Sequence, residues 1–174
     1  MNLDLTEDQV MLKDALSRAL AKVSTPAHIR ASEAAGHDAE TWKVFVDMGL
    51  PLLRIDEAQG GVGSSMMDAV VVAEVIGEMV PVIPAIDVIV AARLLANLGS
   101  DVADISEGAI AVLALHEGDE QLIAAASVAD RIVFKCGDTV RVVKGPFGKS
   151  ADNIGSMAVA QVTLGPDVGE QIAQ

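Results

Sequence analysis

The apolar pattern of the chain changes period once, near Glu107, and this change limits the possible folds more than any other feature. Before it, apolar residues recur every three or four positions, the spacing that makes one face of a helix. After it, they run continuously or alternate in β-branched stretches, as strands do. The reading is α+β: an N-terminal all-α helical bundle over residues 1–107, then a small, mostly antiparallel β domain over residues 108–174.

Helix punctuation supports the first half. Thr6 with Gln9 has capping-box spacing, and Leu12, Leu16, Ala19, Leu20 and Val23 follow as a stripe. Thr25-Pro26 opens a second helix, which Gly36 ends. Asp38 caps a third, carrying Trp42, Phe45 and Val46, with Gly49 just past its end. Ser64 and Ser65 offer caps for a long helix from about Met66 to Met79, whose Ala69, Val72, Ala73, Ile76 and Met79 are expected on one face. Another helix covers about Ala85 to Asn97, closed by Gly99, with a short turn near Asp101 to Ile105. In the second half "GAIAVLALHE" reads as a buried strand. "DRIVFKC" and "TVRVVKG" form a hairpin about Gly137-Asp138, and "SMAVAQVTL" is a further strand.

Charge and composition exclude several functions. The net charge is −13, with −10 in residues 1–107 and −3 beyond them, so phosphate backbones are repelled and nucleic-acid binding is not expected. Three Phe, one Trp and no Tyr leave little for base stacking. The acidic excess reads as a solvated helical face. The single cysteine, Cys136, excludes an internal disulfide and suits a reducing cytoplasm. No N-terminal leader pattern is visible, and the longest apolar run, Val80 to Ala92, is interrupted by two prolines and Asp87, so no membrane span is expected.

Few motifs carry chemistry by themselves. "GPFGKS" at 145–150 has only two residues between its glycines where a phosphate-binding Walker loop needs four. His28, His37 and His116 are scattered, so no metal site is expected, and His37 reads as solvated. No catalytic residue is assigned. His116-Glu117 ends a buried strand and either points into a cleft or marks an ordinary strand end. In "RIDEAQGGVG" (54–63), Gly60, Gly61 and Gly63 permit positive φ or a close approach, which fits a bare turn or a ligand cradle.

The segments "LDLTEDQVMLKDALSRAL" and "TWKVFVDMGLPLLRIDEAQGGVGSSMMDAVVVAEVIGEMV" resemble the opening of acyl-CoA dehydrogenases. The ordered set that carries the resemblance is Trp42, Met48-Gly49-Leu50, Glu57, Gly60-Gly61-Val62-Gly63 and Ser64-Ser65. The β region resembles the family's middle domain in a shortened, divergent form. There Glu117 matches the Glu of an Ala-x-Thr-Glu-Pro-like strand end, while His116 replaces Thr or Ser and Gly118 replaces Pro.

The resemblance implies an FAD-dependent oxidoreductase of lipid metabolism that dehydrogenates an acyl-CoA thioester at its α,β bond and passes electrons to an electron-transfer flavoprotein. It implies cofactor contacts at His116 and Glu117. It also implies a glycine loop, Gly60, Gly61 and Gly63, that shapes the substrate cleft, with Glu57 orienting the turn rather than acting as base. The family's C-terminal helical domain, which supplies the catalytic glutamate and oligomer contacts, is not found within 1–174. The chain is therefore expected to be inactive alone and to work in a homo- or hetero-oligomer with a chain carrying that domain. The alternatives are a non-catalytic subunit of a heteromeric acyl-CoA dehydrogenase and an acidic helical adaptor.

Overall fold

The computed structural model describes residues 4–115 and 120–173. Helices α1 (Glu7–Val23), α2 (Pro26–Ser32), α3 (Ala39–Asp47), α4 (Met66–Met79), α5 (Ala85–Asn97) and α6 (Ala103–Ser106) precede strands β1 (Ala111–Ala114), β2 (Glu120–Ala124), β3 (Arg131–Cys136), β4 (Thr139–Lys144), β5 (Val159–Thr163) and β6 (Glu170–Ala173).

The helix starts follow side-chain chemistry. At α1 the Gln9 N–H donates to Thr6 Oγ1 at 3.2 Å and the Thr6 N–H donates to Gln9 Oε1 at 3.0 Å. At α4 Ser65 and Asp68 form the same reciprocal box, so Ser65 and not Ser64 is the cap. Gln9 Nε2 also donates to Asp68 Oδ1 at 3.0 Å, tying the first turns of α1 and α4 together. Burial would raise the Asp68 carboxyl, but the Gln9 and Ser65 hydrogen bonds, with nearby Arg54, lower it below the ordinary carboxylate range. Asp38 caps α3 and Gly49, at φ +71°, ends it.

The sheet order is β1-β3-β4-β6, with β2 and β5 paired apart as an antiparallel ribbon. The Cys136–Thr139 register places the hairpin turn at Gly137-Asp138. β1 lies parallel to β3, from Ala111 beside Arg131 to Ala114 beside Phe134; the other pairs are antiparallel. The expected α+β architecture is present. The pattern did not reveal β2 and β6, two short strands with only part of one face buried.

Two expectations change. On α4 the buried residues are Val71, Val72 and Val75; Ala69, Ile76 and Met79 pack half-buried against the core as expected, whereas Ala73 lines an open groove. The run from Met66 to Met79 is apolar nearly all round, so its period could not say which side faces α1. His37 is half-buried rather than fully solvated. Its ring meets the edge of Trp42 at 6.2 Å between centroids, with Nδ1 buried and, among the described residues, without a hydrogen-bond partner.

The core runs across the expected boundary at Glu107. α5 buries Ala91, Ala92 and Leu95 and packs on β1, and one apolar cluster reaches from Leu16 and Phe45 to Ile132 and Phe134. The Trp42 indole N–H donates to the Gly108 carbonyl at 2.8 Å, joining α3 to the first turn of the β region.

Candidate functional site

The glycine loop is a folded turn whose backbone donors are already used. Gly61, Val62, Gly63 and Ser64 donate to the carbonyls of Asp56, Leu52, Ile55 and Leu53 at 2.7–3.2 Å. A Cβ on Gly61 would lie 2.2 Å from the Ile55 carbonyl oxygen, so the close approach that requires glycine there is to the chain itself. Gly63, at φ +70°, packs against the Glu57 side chain, and Gly60, at φ +82°, closes a short 3-10 turn. Glu57 therefore braces the turn. The Arg54 guanidinium donates to the Ser64 carbonyl, and Arg93 on α5 donates to the Arg54 carbonyl. Together these bonds fix the start of α4.

Two hollows flank α4. The first is an open groove of about 280 Å³ between α4 and α5, floored by Ala69 and Ala73 and edged by Met66, Val70, Ile86 and Val90, with Arg54 and Arg93 at its margin. Those four edge residues are all exposed, Met66 at 65 %.

The second is a cleft of about 280 Å³ at the junction of the helical and β regions, within reach of the lower end of ligand-pocket sizes, ~300 Å³. The α4–α5 connection, Val80 to Pro84, makes one wall; Ala124, Ala125 and Val128 make another; Gly155 to Ala158 closes it. A smaller hollow of about 180 Å³ adjoins it and adds Glu33 and Ile154. Gly36 sits where a Cβ would meet the Ala158 backbone nitrogen at 2.6 Å, so the two regions touch closely at this rim.

Backbone conformation marks the junction cleft. Among the described residues, three non-glycine residues have φ in the left-handed region: Val80 at +46°, Ala125 at +59° and Ser156 at +49°. All three line this cleft. Such conformations cost about 1–3 kcal/mol each, persist only where the surrounding structure imposes them, and gather at ligand sites. Asp87, in the first turn of α5, also lines the cleft. Asp87 is an exposed residue. Desolvation of the carboxyl by the aliphatic wall nevertheless raises it above the ordinary carboxylate range, against a smaller opposing pull from its own backbone N–H.

None of these four residues stood out in the sequence as a site residue. Asp87 was visible as a charge breaking an apolar run, the one available signal. Nothing local announces a valine in the left-handed region, which its β-branching disfavours. His116 and Glu117 lie outside the described residues. Among the described residues no group of three His, Cys, Asp or Glu side chains could hold a metal ion, and no helix is long and apolar enough to cross a membrane.

A family model for the acyl-CoA dehydrogenase N-terminal domain matches residues 6–103, more than half of the chain. No curated protein matches it in sequence. Among solved structures, a chain of the ChsE4-ChsE5 complex from Mycobacterium tuberculosis superposes with a TM-score of 0.79 at 20 % identity, covering 99 % of this chain and 57 % of that one. An acyl-CoA dehydrogenase from Geobacillus kaustophilus superposes with a TM-score of 0.73 at 17 % identity, covering 99 % and 58 %. A chain from work on the electron transferring flavoprotein of Acidaminococcus fermentans does so with a TM-score of 0.71 at 16 % identity, with the same coverage. At such identities the likeness shows a shared fold. The chain spans less than three-fifths of the length of each of these structures.

Proposed function

The chain belongs to the acyl-CoA dehydrogenase family, and from that premise we propose that its junction cleft receives the acyl part of an acyl-CoA thioester during flavin-dependent α,β-dehydrogenation. The observation that carries this reading is the convergence of Val80, Ala125 and Ser156, all in the left-handed region, on one cleft formed by both regions. An aliphatic wall of Ile29, Val82, Ile83 and Met157 suits a hydrocarbon chain and excludes water from it.

Gly60, Gly61 and Gly63 act on substrate by shaping. Their turn fixes where α4 begins, and α4 ends at Val80 in the cleft. Leu115, 80 % exposed at the end of β1, and Leu122, 65 % exposed on β2, border in sequence the segment that carries His116 and Glu117. Such apolar side chains suit a flat ring, so the described residues fit a flavin in part, with His116 and Glu117 as its polar contacts. A bound FAD would supply the acceptor for the hydride leaving the β carbon.

No residue of 1–174 is proposed as the base. The carboxylate that takes the α proton comes from a helical domain, on the same polypeptide or a second chain, that packs on the α4–α5 groove. The assembly is a homo- or hetero-oligomer in the cytoplasm, with an electron-transfer flavoprotein as acceptor. A second reading, a non-catalytic subunit of a heteromeric enzyme, is favoured by His116 and Gly118 standing where the family has Thr or Ser and Pro.

The test is thermal unfolding of the 174-residue chain with a panel of acyl-CoAs. A ligand at a hundredfold excess over its Kd stabilises the folded state by about 2.7 kcal/mol, which raises the midpoint by roughly 5–10 °C at this size. A midpoint unmoved across the panel would overturn the reading. An absorption spectrum of the same preparation separates the two subunit readings, since stoichiometric bound flavin without a partner rules out the non-catalytic one.

A further inference from the structure

Asp87 sets a chemical condition on what enters the junction cleft. Apart from Asp87 and Ser156, the cleft is lined by aliphatic, proline, methionine and glycine residues. Asp87 is open to solvent; a ligand filling the cleft strips water from it, and a group that hydrogen-bonds to the carboxyl replaces that water, whereas a hydrocarbon placed against it does not. Asp87 cannot move far, because it sits in the first turn of α5, whose neighbouring Ala85 and Val88 are buried in the core. The backbone on both sides of it is equally held: Val80 closes α4 in the left-handed region, and Ala125 and Ser156 face it from the β region.

We infer that Asp87 is a specificity-determining residue that selects acyl groups carrying a hydrogen-bond donor, a hydroxyl, away from the thioester. The inference rests on the acyl-cleft reading above and adds the class of acyl group. A hydroxyl donates to the Asp87 carboxylate while the rest of the acyl group lies against Ile83, Val128 and Met157. An unsubstituted acyl chain of the same length covers the exposed carboxylate and takes away its water without replacing the hydrogen bond, which is how a site built around a polar group discriminates.

Desolvation already raises the free Asp87 carboxyl. Removing the charge is therefore expected to leave the fold intact, so Asp87→Leu and Asp87→Asn both serve as variants.

The experiment compares ω-hydroxyacyl-CoAs with unsubstituted acyl-CoAs of matched length by calorimetric titration of the full chain and of both variants. The wild-type chain is expected to bind the hydroxylated member about tenfold more tightly, the worth of one hydrogen bond to a charged group. Asp87→Leu should reverse the order, and Asp87→Asn, which keeps an acceptor oxygen, should keep part of the preference. Equal binding of the two ligands by the wild-type chain, or an unchanged preference in Asp87→Leu, would overturn the assignment of Asp87 while leaving the cleft an acyl site. If no acyl-CoA binds the folded wild-type chain, the acyl-cleft reading fails and the inference with it.

Discussion

His37 shows how one residue's surroundings reverse a local expectation. Its neighbours Gly36 and Asp38 suggest an exposed loop, yet the ring is half-buried against Trp42, and Asp38 is a buried helix cap. Burial lowers the His37 imidazolium below the ordinary histidine range, and Asp38 only partly offsets this. The unfolded chain therefore takes up a proton at a pH where the folded chain does not. As pH falls from about 6.5 toward the lowered folded value, stability should decline. His37→Gln should remove that part of the slope. Urea unfolding across this range, followed by the fluorescence of Trp42, the chain's one tryptophan, measures it. Equal slopes in the two proteins would show that the ring gains a compensating partner on protonation.

At the scale of elements, α4 carries the site's strain at its end. The helix stops at Val80 with φ +46° and ψ +47°, where glycine is usual. The side chain is 64 % exposed, so its removal loses little burial. Val80→Gly relieves about 1–2 kcal/mol of left-handed strain against roughly 0.5–1 kcal/mol of added backbone freedom in the unfolded chain. The net gain, up to about 1.5 kcal/mol, should raise the unfolding midpoint by up to roughly 6 °C in scanning calorimetry, and the variant should bind acyl-CoA less tightly, because the cleft wall is no longer held in one conformation. A lower midpoint would mean that the valine side chain contributes packing that outweighs the strain.

Among the described residues one core runs through the whole molecule, and the α4–α5 groove leaves apolar surface uncovered. The α4–α5 groove presents Met66, Val70, Ile86 and Val90 along one side, an arrangement typical of interaction surfaces. Val90→Glu, at a residue 49 % exposed, should change stability by no more than ~0.5 kcal/mol. It should nevertheless shift the protein toward the monomer in sedimentation velocity, because a buried unpaired carboxylate opposes packing of a helical partner. An unchanged sedimentation coefficient would remove the groove from the interface.

What the sequence determined by itself was local. Thr6 and Asp38 cap their helices because a side-chain oxygen three residues from a free backbone N–H needs no distant partner, and the sequence narrowed the α4 cap to Ser64 or Ser65. Gly49 and the Gly137-Asp138 turn are legible for the same reason, and the change of period near Glu107 separates helices from strands before any contact is known. The tertiary structure alone decided that Val71 and Val75 join Val72 on the buried side of α4, because an apolar helix takes its final orientation from what it meets. It alone placed β1 beside β3 in parallel, a pairing that skips over β2. It also made the junction cleft. Val80 and Asp87 flank the α4–α5 connection, Ala125 follows β2 and Ser156 precedes β5, and only tertiary packing brings these three stretches to one place.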